Sequence, residues 1–589
     1  KDRADDYNNW IQVVWCIHNI NPDDDRLKDL AIALSKQSDK YKEGDIDDIW
    51  EKAKKEASDD VLTIGSLHYW AKLDDQDKYD AVCQKQLQRL RESSLKGTNG
   101  DVAVFFVFTE ENNFIYSHGA WFFWDKHRWR EDEERGLCLR NKIRPFIDRY
   151  YISFIEDVQL EICGLRTELN KIDNEITELG ADSAGNDESE ESGELKNDLE
   201  QIKSQIKSLT KKQNKILDVI AKLNTTSFKD NVIKECKELF HDPTFTDHLD
   251  TNPDLLGFEN GIYDLKQGIF RDGNPEDYIT MSTGYNFKEY DPEDPNIPEI
   301  EDFMEKVFPD DDTRAYMLQD TSSYIDGHNF RQKIRIWSGT GGNGKSIYQN
   351  LIKLAMGEYT CKLNISLLTK KRPPSNVPQP DLMASMNKRW AYMDEPNEND
   401  KMNIGFLKEL TGGDTITGRN LYDKKQTEFI PCFKLVLCCN KKPKGPTDDG
   451  GFARRLELVE YVSRFVYQPS ADNEFEFLRD DKLKDKLPYW KESFMSMLIN
   501  EYKTYSKNNY VITIPEAVDH YTQEYIREND KVGKFLKEMV EPTPKRVYCS
   551  FGQLYDSYRE WCSDEYGCDT PLDKNTMRSR IEMHKPNEW

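Results

Sequence analysis

The run Gly339-Thr340-Gly341-Gly342-Asn343-Gly344-Lys345-Ser346 fits the pattern G-x-x-x-x-G-K-S at every fixed position. Glycines at those places let backbone N–H groups turn inward and cradle phosphate at a helix N-terminus. A lysine directly after them reaches the β- and γ-phosphates, and the next hydroxyl holds Mg²⁺. The flanks agree with this reading. Ile334, Ile336 and Trp337 read as a short apolar strand, and Ile347 to Leu354 as a helix. The segment is therefore expected to bind ATP, with Lys345 on the phosphates and Ser346 on the metal.

Hydrolysis asks for more groups. Arg389 to Met393 read as a strand of bulky residues that ends in Asp394 and Glu395. Asp394 is suited to complete the Mg²⁺ shell through water, and Glu395 to polarise the attacking water as general base. The plainer alternative is an acidic strand end that caps a helix. Phe433 to Cys439 read as another buried strand, ending in Asn440, whose amide could orient the water or sense the γ-phosphate. An Asn after a strand is also a common turn former. Arg454 and Arg455 open a last strand, Leu456 to Tyr461. An arginine supplied across a subunit boundary stabilises charge on a transferred phosphoryl group; a surface pair is the competing reading.

A chain of 589 residues is expected to form three or four domains around these groups. Residues 1–90 read as helical, with Trp10, Ile11, Val14 and Trp15 at helix-like spacing. Val102–Phe108 reads as β-rich, and Ala120–Trp124 leads into a tryptophan-rich hairpin ending near Trp129. Val158, Ile162, Leu165, Leu169, Ile172, Ile176 and Leu179 form a heptad seam, which resumes at Leu199, Ile202, Ile206, Leu209, Ile216 and Leu223. An antiparallel helical hairpin is expected, joined by the acidic stretch Gly180–Glu194, which has too little apolar surface to fold. Asn260-Gly261 between apolar runs predicts a β-hairpin. Residues 301–465 alternate strand and helix, and helices dominate after Pro469, with Trp490, Phe494, Met497 and Leu498 on one face. The last eighty residues are expected to form a small helical or winged-helix module.

Mean hydropathy is -0.82 and 32% of residues are charged, so the exterior is heavily solvated. No run approaches the ~18 apolar residues of a membrane span, and no membrane is expected as a partner. The 12 cysteines form no C-x-x-C pair, which argues for buried thiols in a reducing, intracellular compartment. A net charge of -26 repels phosphate over the general surface. Nucleic acid would need a local basic channel. Residues 415–445 offer one: Arg419, Lys424, Lys425, Lys434, Lys441, Lys442 and Lys444 stand against Asp423 and Glu428, a local excess of five positive charges. Such an interface is salt-sensitive and indifferent to base sequence.

The P-loop, the Asp394-Glu395 strand end, the LTGGDTITGRNLY run, the Asn440 strand and the double arginine together resemble a superfamily 3 helicase. More narrowly, the chain resembles the helicase half of the poxvirus-type primase–helicases of large DNA viruses. The resemblance implies an AAA+-like P-loop ATPase over 301–465. It also implies a helical linker over 1–95, a mixed collar over 96–300 and a helical or winged-helix domain over 466–589. Leu255–Leu265 and Trp121–Trp129 are similar to the family's collar, Thr63–Ala71 to its linker, and Val518–Leu536 with Leu554–Cys562 to its C-terminal module. In that family a stretch like Leu410–Phe429 forms a β-hairpin in a ring channel, which singles out Arg419, Tyr422, Lys424 and Lys425 as DNA contacts. Family spacing favours Arg454 over Arg455 as the arginine finger. A homohexamer on single-stranded or forked DNA, 3′-to-5′ travel, other replication proteins as partners and a viral replication site in host cytoplasm are implied likewise. No primase carboxylate pair is found ahead of residue 100, and the chain begins at Lys1. A covalently linked primase domain is therefore expected upstream. The rival expectation is a P-loop ATPase that remodels protein and has no need of the basic hairpin tip.

Overall fold

The computed structural model describes residues 2–53, 64–182, 190–370, 372, 374, 377–396, 402–421, 425–443, 450–541, 549–567 and 571–584. The chain divides into two compact units, Lys1–Trp124 with Arg130–Thr246, and Asp125–Trp129 with Asp247–Trp589. Residues 247–300 thus fall with the P-loop unit.

The first unit is mostly helical. Helices Tyr7–Ile20, Asp25–Ser35 and Gln76–Ser94 each start behind an aspartate whose carboxylate accepts a backbone N–H of the first turn. Val14, Ile17, Ala31, Ile46 and Trp50 close a small core among the first helices. Val102–Phe108 is a helix, Asn99–Thr109, and not the expected β segment. The run is apolar on all sides, so its period carries no signal, while Thr98 caps the start by accepting from the Asp101 N–H. Val102, Ala103, Phe105 and Phe106 are fully buried there. Ala120–Asp125 pairs antiparallel with Phe114–Ser117, a strand the sequence reading did not mark, and Arg128–Glu131, the return arm of the expected tryptophan-rich hairpin, is its neighbour on the other side in the same three-stranded sheet.

The heptad seams lie on helices Ser153–Asp182 and Glu190–Leu223. Val158 and Ile162, near the start of the first, share a core with Ile216, Val219 and Leu223, at the end of the second. The pair is therefore antiparallel. Helix covers both ends of the stretch expected as a connector, and 183–189 lie outside the described residues.

The second unit opens with an antiparallel sheet, Leu255–Phe258, Gly261–Asp264 and Ile269–Arg271. The Asn260-Gly261 turn forms, with Gly261 as the first residue of the return strand, paired with Phe258. A Cβ on Gly261 would meet the Arg271 carbonyl at 2.6 Å, which requires glycine.

At the centre lie five parallel strands: β1 (Ile334–Ser338), β2 (Thr360–Lys362), β3 (Trp390–Met393), β4 (Lys434–Cys439) and β5 (Leu456–Glu460), in spatial order β5-β1-β4-β3-β2. Side chains alternate between two cores. Trp337, Trp390, Val436 and Val459 face one side, with helix α1 (Lys345–Met356) and the long helix Leu483–Lys507, whose Trp490, Phe494, Met497 and Leu498 are buried as expected. Ile334, Ile336, Leu437 and Leu458 face the other side, with α2 (Ile404–Gly412) and Tyr525 of α3 (Glu516–Asn529). Helices on both faces explain why these strands are near-continuously apolar. Every element assigned after Leu478 among the described residues is a helix. No helix among them is long and apolar enough to cross a membrane.

Candidate functional site

The parallel register decides what meets at the carboxyl ends of the strands. Ser338 of β1 pairs with Cys439 of β4, and Leu437 of β4 pairs with Met393 of β3. The next residues along each strand are Gly339, Asn440 and Asp394, so the three motifs emerge side by side. This is also where the chain order reverses about β1, the crevice in which open parallel sheets bind ligands.

The loop 339–346 is held from both sides. Tyr461 N donates to the Ser338 carbonyl and Phe465 N to the Gly342 carbonyl, at 2.8 and 2.7 Å. Asn343 is buried and donates its amide to the Tyr461 carbonyl. Gly341, Gly342 and Gly344 have φ of +93°, +66° and +84°. A Cβ on Gly344 would also stand 2.7 Å from Val307. Glycine is therefore required for the cradle that opens α1. Thr340 and Ser346 are exposed at its mouth.

Lys345 is buried and donates to the Gly339 carbonyl at 2.7 Å and to Asn440 Oδ1 at 3.5 Å. Burial pulls its ammonium below the ordinary lysine range, partly offset by the charge of Glu395. Glu395 accepts three N–H groups: Asn440 N at 3.0 Å, Lys441 N at 2.9 Å and Asn440 Nδ2 at 3.1 Å. Asp394 pairs with Lys362 at the end of β2, at 2.5 Å, with both side chains more than half exposed. Nothing in the sequence singles out Lys362; only its place at the end of a strand beside β3 gives it meaning.

Arg454 is exposed, whereas Arg455 is buried and donates to the Gly451 carbonyl. The two adjacent arginines thus stand in different surroundings. Ile416–Gly418 and Thr427–Phe429 form the expected antiparallel hairpin. Arg419 is half-buried at its first strand's end, Lys425 is exposed, and Tyr422 and Lys424 lie outside the described residues. Arg372, which carries no mark in the sequence, donates to the Thr417 carbonyl of this hairpin.

The basic stretch 415–445 is not one patch. Lys434 is buried at the opposite end of β4, bonded to the Asp326 carbonyl and carboxylate at 2.6 and 3.0 Å. Lys442 is paired with Glu524 and Glu528 and lies over the Tyr521 ring. The surface excess in this stretch is smaller than the sequence count.

Sequence reasoning also passes over a charged cluster in the core behind β1. Asp320 is fully buried and accepts from Arg335 Nη2 and Arg331 Nη1, each at 2.7 Å. Arg331 also reaches Glu457, the register partner of Arg335 on β5. Tyr324 and Tyr316 donate to Asp320 and Glu457 at 2.6 and 2.9 Å. Burial alone would raise the Asp320 carboxyl, but the two guanidinium charges outweigh it and hold it low.

Three family models match the chain: primase C terminal 2 over residues 1–71, D5 N terminal like over 107–309, and a family of unknown function over 337–455. A helicase-named protein of Acanthamoeba polyphaga mimivirus is 32% identical, covering 99% of this chain and 57% of that protein. A helicase-named protein of Frog virus 3 is 26% identical over 95% of this chain and 63% of its own length. A primase-named protein of African swine fever virus is 28% identical over 58% of this chain and 36% of its own. The NrS-1 C-terminal region aligns at TM-score 0.33 and 12% identity, over 58% of this chain and 79% of that one, too slight to define the fold. The chain spans about three fifths of the length of the two helicase-named relatives. The matched models and the helicase- and primase-named relatives are consistent with the D5-type primase–helicase family of nucleocytoplasmic large DNA viruses.

Proposed function

We propose that this chain is an ATP-driven DNA helicase motor, working as a ring with each nucleotide at a subunit boundary. The observation that carries this reading is the convergence of Lys345, Glu395 and Asn440 at the ends of β1, β3 and β4. The glycine cradle and the buried lysine fit a polyphosphate, and the exposed Ser346 and Asp394 fit a magnesium ion carried with it. Ser346 and Asp394 would hold Mg²⁺ there, and the ion would supply positive charge against the phosphates.

The protein's own groups do the rest. Lys345 would neutralise charge on the β- and γ-phosphates. Asn440, already on the Glu395 carboxylate, would orient that carboxylate toward the attacking water, and Glu395 would take its proton. Arg454, exposed, would act on the neighbouring subunit's site. The hairpin 416–429 would bear on DNA through Arg419, Tyr422, Lys424 and Lys425. A homohexamer and 3′-to-5′ travel are adopted from the family resemblance. Residues 1–71, matched by the primase C-terminal model, would join the motor to a primase domain.

The test is ATP hydrolysis with and without single-stranded DNA, together with strand displacement on a forked duplex. Stimulation by DNA with displacement is the expected result. Hydrolysis indifferent to DNA would overturn the helicase reading in favour of a protein-remodelling ATPase.

A further inference from the structure

Between helix Asp311–Ser322 and β1 the chain makes a short strap, Asn329 to Lys333, whose side chains reach in three directions. Arg331 anchors it in the core, on Asp320 and Glu457, and is nearly buried. From that anchor, Asn329 Nδ2 donates to the Thr411 carbonyl at 3.3 Å and Gln332 Nε2 to the Gly412 carbonyl at 2.9 Å. On the other side, Lys333 Nζ donates to the Arg454 carbonyl at 3.0 Å and pairs with Glu457 at 3.3 Å. Ile334 N donates to the Arg455 carbonyl at 2.8 Å.

Thr411 and Gly412 are the last two residues of α2, which ends at Gly413 in the left-handed region, φ +82°. Carbonyls at a helix C-terminus lack partners within the helix. Here the strap's amides supply them. The hairpin begins three residues after Gly413, at Ile416, so the end of α2 is tied to it by a short stretch of backbone. Gln332 itself has φ +52°, a conformation uncommon for a residue with a Cβ. Such strain persists where surrounding contacts over-determine it. The grip on Gly412 on one side and on Arg454 on the other is that over-determination.

We infer that this strap couples the hairpin to the arginine finger: Gln332 reads the position of the α2 end, and Lys333 sets the backbone that presents Arg454. Both are positioning residues, and neither touches nucleotide. The inference rests on the helicase reading, because it explains how DNA on the hairpin changes hydrolysis at the boundary.

The test is steady-state ATP hydrolysis by the whole chain, with and without a single-stranded oligonucleotide, for four variants. Gln332→Gly keeps the left-handed turn and removes the donor. It should keep the DNA-free rate, the KM for ATP and the oligonucleotide affinity of the wild type, and lose about fivefold or more of the DNA stimulation. Gln332→Asn, with a shorter amide, should recover part of it. Lys333→Met should lower kcat about tenfold at unchanged KM, as expected for an interaction made only in the transition state, and Lys333→Arg should restore it. Full DNA stimulation in Gln332→Gly overturns the inference, as does unchanged kcat in Lys333→Met. A wild type that DNA does not stimulate overturns the helicase reading itself, a separate outcome.

Discussion

Asn440 donates its side-chain amide to Glu395 at 3.1 Å while its own backbone N–H serves the same carboxylate at 3.0 Å. Two residues from different strands are thus locked as one unit, and Asn440 Oδ1 faces the Lys345 ammonium. The tip of β4 joins the proposed base to the lysine proposed to bind phosphate.

Replacing Glu395 by Gln should leave ATP binding intact and cut hydrolysis by a factor of about 10² to 10⁴, the usual contribution of a general base. Fluorescent-nucleotide titration and phosphate release measure the two quantities separately. A rate like that of the wild type would remove Glu395 from the chemistry.

Asp320→Ala should be severe for stability, because it leaves Arg331 and Arg335 buried with one carboxylate fewer. A cost of about 3 to 5 kcal/mol is expected for breaking such a pair. Thermal unfolding reads it directly. The sign with pH follows from the depressed Asp320 carboxyl. Its contribution is present above the unfolded carboxylate value, about 3.9, and is lost as pH falls through the lower folded value. The wild type should therefore lose part of its thermal stability in that acid window, and Asp320→Ala should show a shallower acid limb.

The site is far more legible in the sequence than the frame that holds it. Gly339–Ser346, Asp394-Glu395 and Asn440 stand at strand ends with motif spacing, and the register brings them together. Arg335 and Lys434 read as a strand residue and a channel residue, because a charge in a strand carries no mark of its partner. Asp320 and Asp326, which bind them in the core, lie 15 and 108 residues away in sequence. Val102–Phe108 misleads for a different reason: an all-round apolar run has no period, and capping at Thr98 decides for helix.

Charge reversal at the exposed Lys425 should weaken binding to single-stranded DNA and make its salt dependence shallower, by about 0.7 in the log–log slope for each phosphate the side chain had neutralised. ATP affinity should not change. Fluorescence anisotropy across a salt series checks it, and an unaltered salt slope would take Lys425 off the DNA path.

Arg455→Ala should act mainly on folding, by removing the hydrogen bond to the Gly451 carbonyl, and lower the melting temperature. Arg454→Ala should leave melting unchanged and abolish hydrolysis, with a loss of about 10³ to 10⁵, the range of an arginine finger. The reverse pattern would exchange their assignments.

The most direct measurement mixes two inactive proteins, Glu395→Gln and Arg454→Ala, and follows ATP hydrolysis in the presence of single-stranded DNA. In a ring with fingers acting across boundaries, some mixed interfaces pair an intact Glu395 with a neighbour's intact Arg454. Hydrolysis should then reappear on mixing, peak near equal proportions and depend on DNA. A mixture as inactive as its components would contradict the shared site, and recovery without any response to DNA would contradict the helicase reading.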